Sequence, residues 1–226
     1  MNSFIVEFWS RIYGALRAVS LFALVRRLFP KLVTGAFVDA WVLGHTVLAG
    51  VCVFLVSSAP QSWFSMALVA YGGLRVFEVT VYQVNVLLFD EYRAFKVGDK
   101  YELIGYRRMV ILLLHNYAEI ILWLACTYTV LAQEFDFKWQ QGRDNAWGSA
   151  YSSFITMTTF GEFDLAPKSG FAAFVLLFHA TIGLFMTLLS LARFISLIPT
   201  PKTRDAIELK QIEAKEAARP PEPPPR

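Results

Sequence analysis

Polar residues interrupt this chain at long intervals, and the apolar stretches between them are too long for the elements of a water-soluble domain. Four blocks carry the pattern: 34–57, 62–89, 107–133 and 169–198. Each is at least as long as the roughly 20 apolar residues that a helix needs to cross the hydrocarbon core of a bilayer. The pattern predicts an all-α membrane protein with four transmembrane helices. A shorter periodic segment precedes them, with Ile5, Phe8, Trp9, Ile12, Leu16 and Val19 at helical spacing and Glu7, Ser10, Arg11 and Arg17 off that face. It predicts one amphipathic helix over about 1–29, ended by Pro30. Such a helix lies either in the cytoplasmic interface or against the protein's own flank.

About 35 residues separate the third and fourth blocks, and they do not read as a plain loop. Asp144 and Asn145 are N-cap candidates for the mildly apolar run AWGSAYSSFITMT at 146–158. That run is too short to cross a bilayer. Its length fits a short helix that points its C-terminus into the membrane, followed by a return segment. Non-helical backbone at such a depth is tolerated only where protein or a water-filled pathway surrounds it. At the far end, residues 203–218 read as a charged helix and RPPEPPPR as an extended or frayed terminus. A cytoplasmic regulator that recognises proline is the alternative reading of that tail.

Composition agrees, with 56% hydrophobic residues against 17% charged. The net charge of +3 gives no reason to expect a nucleic acid partner; its distribution is the informative part. Lys and Arg crowd the N-terminal segment, the 90–108 connection and the tail, whereas 57–61 has none. By the positive-inside bias both termini and the 90–108 loop are cytoplasmic, and residues 134–168 lie outside. The expected location is the plasma membrane. Cys52 and Cys126 fall inside predicted spans without metal-ligand spacing and read as packing residues. No nucleophile–base spacing appears, so neither an enzyme nor a cofactor is expected.

Residues 151–164, YSSFITMTTFGEFD, resemble the re-entrant helix and filter of potassium-channel-like pore domains, spelled YFSFVTMTTVGYGD. Nine of the fourteen positions are identical. Pro167 follows Asp164 as in the D-x-x-P of that family, and Gly183 stands 22 positions after Gly161, where many of these channels place an inner-helix hinge. The resemblance covers about 107–198 and implies a homotetramer with one pore loop per subunit. It assigns an outer helix, a pore helix at 146–158, a filter at 159–164 and an inner helix at 169–198. Residues 31–106 then form a peripheral two-helix domain and 199–226 a cytoplasmic tail. The implied ion pathway runs through Thr158, Thr159, Phe160, Gly161, Glu162, Phe163 and Asp164, with Gly183 as hinge. Phe185, Met186, Leu189 and Phe194 are candidates for a hydrophobic gate.

Two letters depart from the family. Glu162 replaces its tyrosine, and Phe163 replaces a glycine whose positive φ turns a carbonyl inward. The narrow multi-site potassium filter is therefore not expected to form. A ring of Glu162, backed by Asp164, draws partly hydrated or divalent cations. The spelling is similar to the TIGETP filter of cyclic-nucleotide-gated channels, which are weakly selective and calcium-permeable. The tail is too short for a nucleotide-binding domain. A cation channel passing sodium, potassium and calcium is the expectation. A potassium-selective or calcium-selective filter stays open, as does a non-conducting membrane scaffold or sensor with a pore-like fold. Arg75, Glu78 and Glu119 fall at one mid-membrane depth and predict a buried charge layer, either a static ion pair or a gating latch. The second span has a single arginine, too little charge for steep voltage gating.

Overall fold

The computed structural model describes residues 4–18, 20–97, 106–139, 145–158 and 165–197. At the N-terminus the single helix expected over 1–29 is two, α1 (Phe4–Ala18) and α2 (Leu21–Leu28), set at 65° to each other. Ser20 explains the break. Its backbone is extended and its Oγ accepts the Ala23 N–H at 2.9 Å, so it caps a new helix instead of continuing the old one.

The next two helices start on the same device. Thr34 caps α3 (Gly35–Ser58) and Ser62 caps α4 (Trp63–Val84), each hydroxyl accepting a first-turn N–H. From Val84 the chain continues through a π-helical turn, Asn85–Phe89, into α5 (Asp90–Val97). The cytoplasmic loop expected at 90–108 is thus helical as far as Val97. After α6 (Tyr106–Val130) come a short 3-10 turn, β1 (Phe135–Phe137), α7 (Ala146–Thr158), β2 (Leu165–Pro167) and α8 (Gly170–Leu197). Four helices are long and apolar enough to cross a membrane: Gly35–Ser58, Trp63–Phe89, Arg107–Val130 and Gly170–Ala192. The α1–α2 segment meets that standard only as a bent pair.

Helix α6 lies at the centre and packs against α3, α4, α7 and α8. Its side of α3 is small and β-branched: Ala49, Cys52, Val53 and Val56, at i, i+3, i+4 and i+7, are all buried in the shared core. Small residues at this spacing bring two backbones close, which is how helices associate where lipid supplies no hydrophobic drive. Both cysteines are free and buried there. The opposite face of α3, with Val47, Val51 and Phe54 half exposed, is apolar as well, as lipid contact requires.

The N-terminal helices belong to the protein's flank. Arg93 of α5 donates to the Ser10 carbonyl at 3.0 Å and to Asn85 Oδ1 at 2.6 Å, while Lys96 pairs with Glu7 at 3.1 Å. Phe4, Ile5, Phe8 and Trp9 still point outward from α1. One face of α1 is thus packed on the protein's flank, and the other is apolar and exposed.

Adjacent glycines of α4 allow a controlled test. A Cβ on Gly72 would lie 2.7 Å from Cε3 of Trp123, itself 1% exposed, whereas one on Gly73 would meet nothing within 4 Å. Gly72→Ala is expected to destabilise the protein by about 1–3 kcal/mol through overpacking. Gly73→Ala is expected to be neutral or to stabilise by up to about 1 kcal/mol from helix propensity. Thermal unfolding of both variants in detergent is the check.

Candidate functional site

The sequence singles out two places, a charge layer and a pore loop, and α6 contributes to both. In the first, Arg75 stands near the middle of α4, where an unpaired guanidinium facing hydrocarbon would be costly. Its Nε and Nη2 donate to the two carboxylate oxygens of Glu119 at 3.0 and 3.2 Å, a fork-shaped pair. Its Nη1 donates to Glu78 Oε2 at 2.5 Å. Arg75, Glu78 and Glu119 are 2%, 6% and 0% exposed, so water does not share these bonds.

One guanidinium faces two carboxylates, and further donors complete the arrangement. Trp123 Nε1 donates to Glu119 Oε1 at 3.2 Å, and the Phe22 backbone N–H, at the start of α2, donates to Glu78 Oε1 at 2.7 Å. The positive end of a helix dipole thus meets the second carboxylate. The Trp41 ring lies 5.8 Å from the Arg75 guanidinium carbon, in cation–π range. Trp123, Trp41 and the α2 N-terminus escape a reading of the sequence. The first is legible only as an aromatic four residues after Glu119, and the last has no local signal at all.

The second place is α7. Asn145 caps it, its Oδ1 accepting the Gly148 N–H at 2.8 Å. The helix begins beside Phe54 near the end of α3, where Trp147 meets that ring edge-on at 5.7 Å. It ends at mid-length of the two helices that flank it in sequence. There the Met157 carbonyl accepts the Tyr117 hydroxyl of α6 at 3.2 Å, and the same hydroxyl lies 3.0 Å from Thr187 Oγ1 of α8. Ser153, buried, donates to the Ile121 carbonyl at 2.7 Å. These bonds fix α7 by its side and by its C-terminal end.

A two-stranded ladder closes the segment at the end of the bundle where α6 finishes and α8 begins. β1 and β2 pair antiparallel with Phe135 opposite Pro167, Asp136 opposite Ala166 and Phe137 opposite Leu165. The chain therefore leaves α6 and enters α8 at one point, with α7 between. Phe135, Phe137 and Leu165 are buried beneath this ladder with Tyr128 and Ala172. Lys168 pairs with Asp136 at 2.8 Å on its outer side.

Thr158, the last residue of α7, returns its Oγ1 to the Phe154 carbonyl at 2.9 Å. Thr159, Phe160, Gly161, Glu162, Phe163 and Asp164 lie outside the described residues, including both carboxylates expected to meet a cation. Gly183 is described, and it sits within the continuous helix α8, where a Cβ would lie 2.5 Å from the Met157 carbonyl oxygen. Close approach to the end of α7 requires a residue without a side chain at this position. Of the gate candidates, Phe185 and Phe194 are exposed on α8 and Leu189 is half-buried. Met186 is fully buried in the core that holds Met157 and Ile182, so it is off the exposed face of α8.

Three further ionisable side chains of the spans, Asp39, His45 and His179, have partners. Asp39 pairs with Arg108 at 2.7 Å, and His45 lies 2.7 Å from the Trp41 carbonyl and 2.8 Å from the Tyr71 hydroxyl. His179 Nδ1 lies 2.7 Å from the Tyr128 hydroxyl. Among the described residues its Nε2 has no partner.

No family model, no curated protein and no solved structure matches the chain. The geometry of the two places therefore carries the functional argument.

Two outcomes follow from it. Arg75→Met leaves two buried carboxylates without their cation and is expected to cost about 3–5 kcal/mol. Adding Glu78→Gln and Glu119→Gln to that variant is expected to restore part of the loss, read as the thermal midpoint in detergent. Gly183→Ala is expected to lower the same midpoint, because a methyl group on the Met157 carbonyl cannot be accommodated by rotating a side chain. A hinge without tight packing would leave the midpoint unchanged.

Proposed function

We propose that the chain is one subunit of a homotetrameric cation channel, with α6 and α8 as the outer and inner helices of the pore and α7 as its pore helix. One observation carries this reading. Helix α7 runs from the end of the bundle to its middle, is bonded there to α6 and α8, and stops just before TFGEFD. That arrangement supports a re-entrant pore loop: its two ends meet at the β1–β2 ladder, protein covers one face of α7, and the other face, with Trp147, Tyr151 and Phe154, is left to a neighbouring subunit. The negative end of the α7 dipole then favours a cation at mid-membrane.

The filter chemistry rests on the letters themselves. Carbonyls of Thr159 and Gly161 and a ring of Glu162 form a short, wide, acidic filter that passes sodium, potassium and calcium. Phe185 and Phe194, exposed on a single subunit, remain available to an axis or to a neighbouring subunit. Both termini are cytoplasmic in this reading, which follows the charge bias of the connections. The Arg75 layer holds the peripheral helices to the pore.

The test is the reversal potential of purified protein in a planar bilayer with potassium facing sodium, then calcium. A value near zero with calcium current is the expected result. A value near the potassium equilibrium potential overturns weak selectivity, and silence from intact tetramers favours a non-conducting scaffold. A monomer or dimer by mass measurement overturns the assembly. In the conducting protein, Glu162→Gln is expected to weaken calcium block about tenfold while monovalent current persists.

A further inference from the structure

A cavity of about 210 Å³ lies between the α1–α2 pair and the bundle. Its wall is mostly apolar, with Trp41 and Val42 from α3, Val79 from α4 and Leu112 from α6. Arg75 and Glu78 stand at its inner side, and Arg17 and Arg26 at its exposed rim.

The charges at the two depths differ in how firmly they are engaged. Both Glu78 oxygens are engaged, one by Arg75 and the other by the Phe22 N–H, so the charge of the inner acid is already met from within the protein. At the rim the cations are more loosely held. Among the described residues Arg26 has no ion pair, and Arg17 has a single long one, 3.8 Å to Asp90. Loosely engaged guanidinium groups above an apolar wall match an amphiphile with an anionic head and a hydrocarbon tail. Basic pockets between membrane helices on the cytoplasmic side hold phospholipid head groups by this chemistry.

We propose that this cavity binds one anionic phospholipid of the cytoplasmic leaflet, with its phosphate on Arg17 and Arg26 and an acyl chain along Trp41, Val42, Val79 and Leu112. The leaflet rests on the orientation proposed above; the binding chemistry does not. An occupant there touches both α2 and the Arg75 layer, so its binding is coupled to the contact between Phe22 and Glu78. The N-terminal pair then acts as the adjustable wall of a lipid site.

The test is native mass spectrometry of the full chain in detergent, titrated with phosphatidylglycerol or with phosphatidylcholine of equal chain length. Phosphatidylglycerol is expected to bind more tightly. Arg17→Ala and Arg26→Ala are each expected to weaken it about fivefold, while Arg107→Ala, away from the cavity, leaves it unchanged. Ala23→Phe, which fills the cavity from α2, is expected to reduce binding of both lipids. Equal affinity for the two lipids overturns the proposal, as does an Arg107→Ala effect as large as that of Arg26→Ala, the mark of general surface attraction. Full competition by inorganic phosphate at millimolar concentration assigns the rim to a free anion and overturns the lipid. The measurement needs neither current nor a known orientation, so its failure is distinguishable from failure of the channel reading.

Discussion

A guanidinium in the middle of a helix long enough to cross a membrane has to be neutralised by its own protein, and Arg75 sets the terms for everything around it. Glu119 answers from α6 with both oxygens and Glu78 from the next turn of α4. Two carboxylates against one cation leave negative charge over, and the Phe22 N–H supplies the remaining partner. The position of the N-terminal helices thereby follows from an imbalance at the centre of the bundle. In hydrocarbon the alternatives are an uncompensated charge or a change of protonation, and each is costly.

The second constraint is distance of approach. Gly72 lets the Trp123 ring lie directly on α4, which in turn holds the indole N–H on Glu119. Gly183 does the same for the end of α7, bringing the Met157 carbonyl onto α8 while Tyr117 donates to it. Helix α6 carries Tyr117, Glu119 and Trp123 within two turns, so the charge layer and the α7 cradle share one rigid element. Any functional coupling between the peripheral helices and the proposed pore has a short path through these three side chains.

Much of this was legible in advance because lipid leaves a coarse signature. The four long helices agree with the apolar blocks to within a few residues, and Asn145 caps the helix expected after it. The depth of Arg75, Glu78 and Glu119 could be counted from the span ends, since rise per residue is constant in a helix. The N-terminal segment is where counting failed. Periodicity from Ile5 to Val19 carried across Ser20, a good N-cap whose competition with the helix is decided by what α2 meets on its other side. Gly183 was legible as a position, but its close contact with the end of α7 was not, because spacing to Gly161 carries no information about what packs against it.

Taken alone, the sequence determined that four helices are of membrane-crossing length, that a short helix interrupts them, and that three ionisable residues share a depth. Those properties depend on hydrophobicity and on helical rise, both of which are local. The tertiary structure decided which carboxylate faces which nitrogen, that Tyr117 joins α7 to α8, and that Met186 turns into the core while Phe185 turns out. It also decided that the start of α2 closes on Glu78, 56 residues away. Such choices depend on the rotation of each helix about its own axis. Small residues and buried hydrogen bonds set that rotation only once the neighbouring helices are in place.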